Sequence, residues 1–239
     1  MKGPPRGPSR RAAKRARPGA GRAFSAERGL RRDLVEVCRR LHERRLIGAG
    51  EGNVSCRVGK DRLLVTPSGA SKGHLGPGDL VVVDLAGERV GGRARPSTEL
   101  GMHLAAYQAR PDAGAVVHAH PLSAVAFTVA GVPPPNDLLP EAVLVLGEVA
   151  VAPFATPGTG EVAESLAPLW AGHEVFLLER HGALALGRDL FQALDRVETL
   201  ERVCEVALLS RLLGRCEPLA AEAVAKILAA GGAPPRPRR

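Results

Sequence analysis

The stretch VVHAHP, residues 116–121, places two histidines two positions apart at the end of an apolar run that is typical of a buried strand. Side chains alternate between the two faces of a strand, so His118 and His120 project from one face and can bind one ion together. A third histidine, His181, follows in the sequence Arg180-His181-Gly182. Catalytic zinc sites usually hold the ion with three protein ligands and leave one position open. The stretch therefore predicts a metal site with a catalytic role.

Helical and extended patterns alternate on both sides of this strand. Apolar residues at helical spacing predict helices at 25–47, 98–110, from residue 121, 161–170, 189–213 and 218–229. Short apolar runs between Gly-, Ser- and Pro-containing turns predict strands at 53–58, 62–66, 80–84, 115–120, 148–153, 175–178 and 183–186. Mixed strands and helices without a repeat of fixed period indicate one layered α/β domain.

The net charge of +8 comes from the two ends of the chain. Residues 1–22 contain eight Lys or Arg and no acid, and residues 233–239 contain three more, which leaves 8 minus 11, or −3, for the body. We expect a disordered basic arm at 1–24, a single catalytic domain at 25–230 and a disordered tail at 231–239. Residues 1–22 contain no aromatic side chain on which bases could stack. Nucleic-acid binding is therefore expected to be, at most, a weak contact of this arm.

Cellular location is predicted from segments that the sequence lacks. No apolar stretch of about 7 to 15 residues follows the basic start, as a secretory signal requires, and no run of about 20 apolar residues indicates a membrane span. The four cysteines are widely scattered, which suits a reducing compartment. We expect a cytoplasmic protein that does not bind membranes.

Three loops contain the groups that bind a phosphate monoester. Thr66-Pro67-Ser68-Gly69 and Pro96-Ser97-Thr98 offer hydroxyls and turn amides, which can hold a phosphate without a fixed positive charge. Glycines 48, 50 and 52 precede a strand, not a helix, so they do not fit a dinucleotide-binding turn; with Asn53 they can form a small anion nest. The alternative for Ser97 and Thr98 is an ordinary helix cap.

Glu99 follows these hydroxyls at the start of the helix that leads to the metal strand. A carboxylate beside an open metal position can act as an acid or a base, because the ion stabilises the anion that proton removal creates. The alternative is an acid that only interacts with the helix dipole. His103 lies one turn later, where we expect packing or hydrogen bonding near the site and no direct contact with the ion.

Seven motifs together resemble the zinc-dependent class II aldolase and adducin head family, and within it the fuculose phosphate aldolases. They are GNVS at 52–55, TPSG at 66–69, STE at 97–99, YQARPDA at 107–113, VVHAH at 116–120, APFAT at 152–156 and HG at 181–182. The resemblance implies a three-layer α/β/α fold around a largely antiparallel sheet, and a homotetramer with active sites between subunits. It implies one Zn²⁺ per subunit bound by His118, His120 and His181, although another divalent metal could serve.

The resemblance also implies roles in a reaction. Glu99 would be the acid and base, and the substrate phosphate would lie among Asn53, Ser68, Gly69, Ser97 and Thr98. The implied reaction is retro-aldol cleavage of a ketose 1-phosphate, similar to fuculose 1-phosphate, to dihydroxyacetone phosphate and an aldehyde. The alternatives are a ketose-1-phosphate dehydratase, acting on a substrate such as methylthioribulose 1-phosphate, and a non-catalytic adducin-like interaction module.

One position departs from the family pattern. Fuculose phosphate aldolases use a tyrosine from a neighbouring subunit to handle the proton on the aldehyde oxygen, and the ungapped count from His120 places Leu139 there. Asp137 or Glu141 could substitute for this tyrosine. The departure leaves the aldehyde half of the reaction without an identified acid or base.

Overall fold

Eight strands form one sheet in the computed structural model, which describes residues 20–231 of the chain. They are β1 (Asn53–Val58), β2 (Arg62–Val65), β3 (Val81–Asp84), β4 (Arg89–Gly91), β5 (Ala115–Ala119), β6 (Val149–Ala152), β7 (Val175–Leu178) and β8 (Gly182–Gly187). Their order across the sheet is β4-β3-β2-β1-β5-β8-β7-β6. All neighbours are antiparallel except β6 and β7. The prediction of a largely antiparallel sheet is confirmed.

Six α-helices accompany this sheet within residues 20–231. They are α1 (Ala20–Glu43), α2 (Leu100–Ala109), α3 (Leu122–Val129), α4 (Glu161–Leu166), α5 (Leu190–Leu212) and α6 (Ala221–Ala230). Short 3-10 turns lie at Lys72–His74 and Ala167–Leu169, and a π-helical turn lies at Ala142–Leu146. Asp189 caps α5, because its side chain accepts a hydrogen bond from the Gln192 amide at 2.8 Å.

The core lies on both faces of the sheet. Val117 of β5 packs in a cluster with residues of α1, α3 and α5, whereas the adjacent Val116 packs in a second cluster with residues of α2 and α4. This alternation is the period of two that a strand buried on both faces requires. The arrangement is the three-layer α/β/α fold that the resemblance implied.

The first helix differs from its prediction at both ends, and one strand was missed. The first helix begins at Ala20, five residues before the predicted start at Ser25, because Ala20–Phe24 contain no proline and the nearest one upstream is Pro18. It ends at Glu43 and not near residue 47. The three-residue strand β4 was not predicted, since its sequence Arg-Val-Gly has no apolar alternation and its edge position leaves it exposed.

Most of the predicted arm and tail falls outside the described residues. Of residues 1–24, only Ala20–Phe24 are described, as the start of α1, and of the tail only Gly231. The disordered arm, its weak contact with nucleic acid and the disordered tail therefore remain predictions. Among the helices of residues 20–231, none is both long enough and apolar enough to cross a membrane.

Candidate active site

The sheet brings the three predicted ligand histidines together. His118 is the fourth residue of β5, His120 follows the strand, and His181 lies in the turn between β7 and β8. Because β5 pairs with β8, this turn lies beside the end of β5. One nitrogen from each ring lies within 4.8 Å of the others, and the Nε2 atoms of His118 and His120 are 3.1 Å apart. Three imidazoles from three chain positions thus face a common point.

The hydrogen bonding of His118 shows which of its nitrogens is free. Its Nδ1 lies 2.9 Å from the Ala183 carbonyl oxygen, which only accepts, so Nδ1 carries the proton and Nε2 presents a lone pair. Burial lowers the pKa of His118 well below its ordinary value, with His120 and His181 acting in the same direction. Burial is also the main cause of the lowered pKa of His120. Both rings are therefore neutral at pH 7, the state in which imidazole binds a metal.

Glu99 lies against the three histidines. It occupies the N-cap position of α2 but makes no capping hydrogen bond. Its Oε1 lies 3.2 Å from His181 Nε2, and its Oε2 lies 3.4 Å from His118 Nε2. Burial would raise the pKa of Glu99, but the hydrogen bond from His181, the electrostatic effect of the His118 and His181 rings at the low pH where Glu99 titrates, and the bond from Asn53 together lower it to about 2. The carboxylate is ionised at neutral pH and is directed at the histidines.

These contacts fit a bound cation. The lone pair of neutral His118 and the anionic Oε2 of Glu99 face each other at 3.4 Å, and two acceptors at that distance repel unless a positive ion lies between or beside them. Three imidazole nitrogens suit Zn²⁺ and other first-row divalent ions. The donor set is therefore of the kind that holds a metal with a position left open for substrate.

A buried hydrogen-bond chain orients the Glu99 carboxylate. Asn53 Nδ2 donates to Glu99 Oε2 at 2.7 Å, which leaves Asn53 Oδ1 to accept from His103 Nε2. His103 Nδ1 then accepts from Ser55 Oγ at 2.7 Å, and Ser55 accepts from Tyr107 at 3.0 Å. Burial lowers the pKa of His103 to about 4, so the ring is neutral, as this chain requires. His103 hydrogen-bonds near the site and is not one of the three histidines that could hold a metal, as the sequence predicted.

A cavity of about 250 Å³ lies beside the histidines. It brings together the predicted phosphate-binding residues, the predicted acid and base, and two of the three histidines. The residues that line it are Gly50, Glu51, Gly52, Asn53, Ser68, Gly69, Lys72, Ser97, Thr98, Glu99, His120, Pro157 and His181. Two backbone hydrogen bonds join two of its loops, Ser68 N to Arg95 O at 2.9 Å and Ser97 N to Thr66 O at 3.2 Å. Ser97 Oγ also accepts the Glu99 amide at 3.2 Å, so the capping alternative describes part of its role.

Lys72 is a cavity residue that the sequence did not predict. Its residue is 3% exposed, and its Nζ donates to the Gly50 carbonyl at 2.8 Å. The sequence analysis predicted that the hydroxyl-rich loops bind phosphate without a fixed positive charge, and the cavity that they line also contains the Lys72 ammonium group. The available signal was its position in the sequence, three residues after Gly69 in a predicted phosphate loop.

Leu139 lies away from this cavity in its own chain. Its side chain packs partly buried against the core, and it lines a separate groove of about 540 Å³ with Glu141, Val145, Asp195, Glu198, Thr199, Arg202 and Val203. Neither Leu139 nor Glu141 lines the cavity that contains Glu99. Asp137 is likewise absent from the residues that line this cavity, so within one chain the segment contributes no acid or base to it.

Gly182 allows the histidine strands to approach each other. A Cβ on this residue would lie 2.5 Å from the Ala119 carbonyl oxygen, 2.9 Å from His120 Cδ2 and 3.0 Å from His118 Cε1. We expect Gly182→Ala to lower the free energy of unfolding by about 1–3 kcal/mol, the usual cost of overpacking, and to weaken metal binding. Gly29→Ala is the control, since Gly29 has open space in α1. Equal denaturation midpoints and metal affinities for the two variants would show that this close approach is unimportant.

The sequence of this chain is similar to those of known proteins. The family model described as Class II Aldolase and Adducin N-terminal domain matches residues 32–208. A Haemophilus influenzae protein named 3-oxo-tetronate 4-phosphate decarboxylase is 35% identical over 177 residues, which are 72% of this chain and 84% of that protein. A Methanococcus vannielii protein named L-fuculose phosphate aldolase is 33% identical over 177 residues, which are 73% of this chain and 93% of that protein.

Solved structures share the architecture. The crystal structure of YgbL from Klebsiella pneumoniae superposes with a TM-score of 0.78 at 31% identity, and the match covers 84% of this chain and 98% of that chain. The predicted fold class is therefore confirmed by an independent structure as well as by the sheet topology.

Proposed function

This chain belongs to the class II aldolase and adducin family, and from that premise we propose that it is a zinc-dependent lyase that breaks a carbon–carbon bond of a phosphorylated keto sugar. The family predicted from the seven motifs is confirmed. Relatives named as aldolases and decarboxylases also confirm the prediction of an enzyme, so the non-catalytic adducin-like module is set aside.

The observation that carries the proposal is the ionised Glu99 carboxylate directed at three converging histidines, of which His118 and His120 are neutral. His118, His120 and His181 would hold the Zn²⁺, which, when bound, supplies the positive charge that stabilises an enediolate. Glu99 lines the cavity and is ionised, so it can take a proton from, or return one to, a carbon of a substrate in the cavity. The Asn53 amide holds this carboxylate in place at 2.7 Å.

The loops around the cavity support the phosphate part of the proposal. Ser68, Gly69, Ser97 and Thr98 line one cavity with Asn53 and Glu99. Their hydroxyl and amide groups can bind a phosphate and thereby fix the orientation of the rest of the substrate. A phosphate bound in this way contributes binding energy far from the bond that breaks. Such remote binding energy can be used to orient the reacting carbons of the substrate.

Retro-aldol cleavage of a ketose 1-phosphate, similar to fuculose 1-phosphate, is the first candidate reaction. It releases dihydroxyacetone phosphate and an aldehyde, and it requires a base for the hydroxyl proton on the aldehyde side. Leu139 cannot serve as that base. We propose, as the resemblance implies, a homotetramer in the cytoplasm with sites between subunits, in which Asp137 or Glu141 of a neighbour supplies the group. Light scattering of the purified protein measures this assembly.

Decarboxylation of a 3-oxo sugar acid 4-phosphate is a second candidate, and Leu139 specifically favours it. Loss of CO2 from carbon 1 of a 3-oxo-tetronate 4-phosphate leaves the enediolate of dihydroxyacetone phosphate, as retro-aldol cleavage does. The departing carboxylate is already ionised, so no hydroxyl proton has to be removed. A site that has Leu139 in place of the family tyrosine therefore suffices for decarboxylation. A relative that is 35% identical is named 3-oxo-tetronate 4-phosphate decarboxylase.

A substrate panel tests the proposal and separates the candidates. We expect the zinc-loaded protein to release dihydroxyacetone phosphate from fuculose 1-phosphate or a related ketose 1-phosphate with an aldehyde, or from 3-oxo-tetronate 4-phosphate with CO2. Methylthioribulose 1-phosphate belongs in the panel, since a dehydratase would eliminate water from it without releasing dihydroxyacetone phosphate. No dihydroxyacetone phosphate from any compound would refute carbon–carbon cleavage.

A further inference from the structure

Lys72 is a buried lysine to which the proposed reaction assigns no role. It begins the 3-10 turn that follows the loop at residues 66–69, and only 3% of the residue is exposed. One of its three N–H groups donates to the Gly50 carbonyl at 2.8 Å. Within residues 20–231, the other two have no hydrogen-bond or ion-pair partner. The fold therefore holds an ammonium group at the wall of the cavity, and two of its three N–H groups have no partner among the described residues.

Such burial is costly unless an anion compensates it. Removing an ammonium ion even partly from water is unfavourable, and one carbonyl oxygen offsets only part of that cost. Burial lowers the pKa of Lys72, while the nearby Glu99 charge opposes the change. Cys38 also lies near, but burial raises its pKa to about 12, so this thiol is neutral and supplies no counter-charge. Glu99 acts on Lys72 only through space, since no ion pair joins the two within residues 20–231, so the ammonium group can still bind an anion directly.

The charges around the cavity indicate where that anion binds. Lys72 is the only Lys or Arg among the residues that line the 250 Å³ cavity, whereas Glu51 and Glu99 each place a carboxylate there. A phosphate carries nearly two negative charges at neutral pH. Hydroxyls and amides alone would have to hold it against the repulsion of two carboxylates, and Lys72 provides the opposing charge.

We propose that Lys72 binds the phosphate group of the substrate, together with the hydroxyl and amide donors of Ser68, Gly69, Ser97 and Thr98. This inference rests on the proposed function, because it specifies the ligand of one part of the same cavity. A lysine ammonium acts as a point charge for phosphate and needs no fixed planar geometry. The Gly50 carbonyl holds the ammonium in place, and the two remaining N–H groups are available to the phosphate.

A purely structural role makes a different prediction. Lys72 could serve only to tie the glycine-rich loop through Gly50, and any uncharged donor of similar length would then replace it. Lys72→Gln keeps a donor for the Gly50 carbonyl and removes the charge. Lys60→Gln makes the same chemical change on the exposed turn between β1 and β2 and is the matched control.

The test is the dissociation constant of inorganic phosphate, measured by titration calorimetry on the full-length, zinc-loaded protein. We expect Lys72→Gln to weaken phosphate binding about tenfold or more, as loss of a charge-assisted hydrogen bond does, with metal content unchanged. Lys60→Gln should bind phosphate like the wild type. If Lys72→Gln folds, holds its metal and binds phosphate within twofold of the wild type, the inference is wrong.

A measurement on the wild type covers the case in which Lys72→Gln does not fold. The chain has five lysines, Lys2, Lys14, Lys60, Lys72 and Lys226, so ¹³C labelling of lysine gives few side-chain signals, and substitution of the other four assigns that of Lys72 by elimination. Saturating inorganic phosphate should shift the Lys72 signal and leave that of Lys60 in place; an unmoved Lys72 signal overturns the inference. A wild type that binds no phosphate at all would contradict the phosphorylated substrate itself.

Discussion

Replacing His118 with alanine is expected to remove the bound metal and to reduce turnover to background. His118 is fully buried, and its Nδ1–H bond to the Ala183 carbonyl fixes the ring with Nε2 toward His120. Removing only a hydrogen bond to the far nitrogen of a metal-binding histidine typically lowers metal affinity or activity 10–100-fold. Removing the histidine itself should lower both by more. Metal content after dialysis and the rate of dihydroxyacetone phosphate release measure the two effects.

His74→Ala is the control for this variant. His74 is exposed, lies in the 3-10 turn that Lys72 begins, and is not one of the three converging histidines. This variant should keep both its metal and its activity. A His118→Ala protein that retains stoichiometric metal and wild-type turnover would show that the three-histidine cluster is not the metal site.

Glu99→Gln should keep the metal and lose most of its turnover, by about 10²- to 10⁴-fold, the usual contribution of a general acid or base. Glutamine has the same shape and can still accept the 2.7 Å hydrogen bond from Asn53, but it cannot take up a proton. The three histidines are unchanged, so metal content should remain near that of the wild type. The measurements are metal content and kcat on the substrate that the panel identifies.

Glu88→Gln provides the matched control, since Glu88 is exposed in the turn between β3 and β4. It should turn over substrate at the wild-type rate. Wild-type kcat in Glu99→Gln would remove Glu99 from the proton transfer and leave it as a residue that only positions its neighbours.

The arrangement of the site could be predicted from sequence wherever a local pattern determines it. The period of two in a strand places His118 and His120 on one side, and the hydroxyls before Glu99 are typical of a loop that ends in a helix. The convergence of His181 with this pair depends on the pairing of β5 with β8, which no local pattern shows. The family resemblance supplied that contact.

Other features required the folded chain. Lys72 is an ordinary surface residue by composition, and only the packing of its turn beneath the glycine-rich loop buries it. The directed hydrogen bonds from Tyr107 to Glu99 join residues 46 to 52 positions apart in sequence. The position of Leu139 in a groove with Glu141, away from the cavity, is likewise a result of tertiary packing.

The central claim is that Glu99, beside a metal that the three histidines would hold, exchanges a proton with an enediolate, whichever bond is broken to form it. Deuterium exchange into dihydroxyacetone phosphate, followed by NMR in D2O, tests this step without knowledge of the full substrate. We predict that the metal-loaded protein exchanges a hydroxymethyl hydrogen, that a chelator stops the exchange and that added Zn²⁺ restores it. Absence of exchange by the metal-loaded protein, or exchange that persists after the metal is removed, would contradict the account.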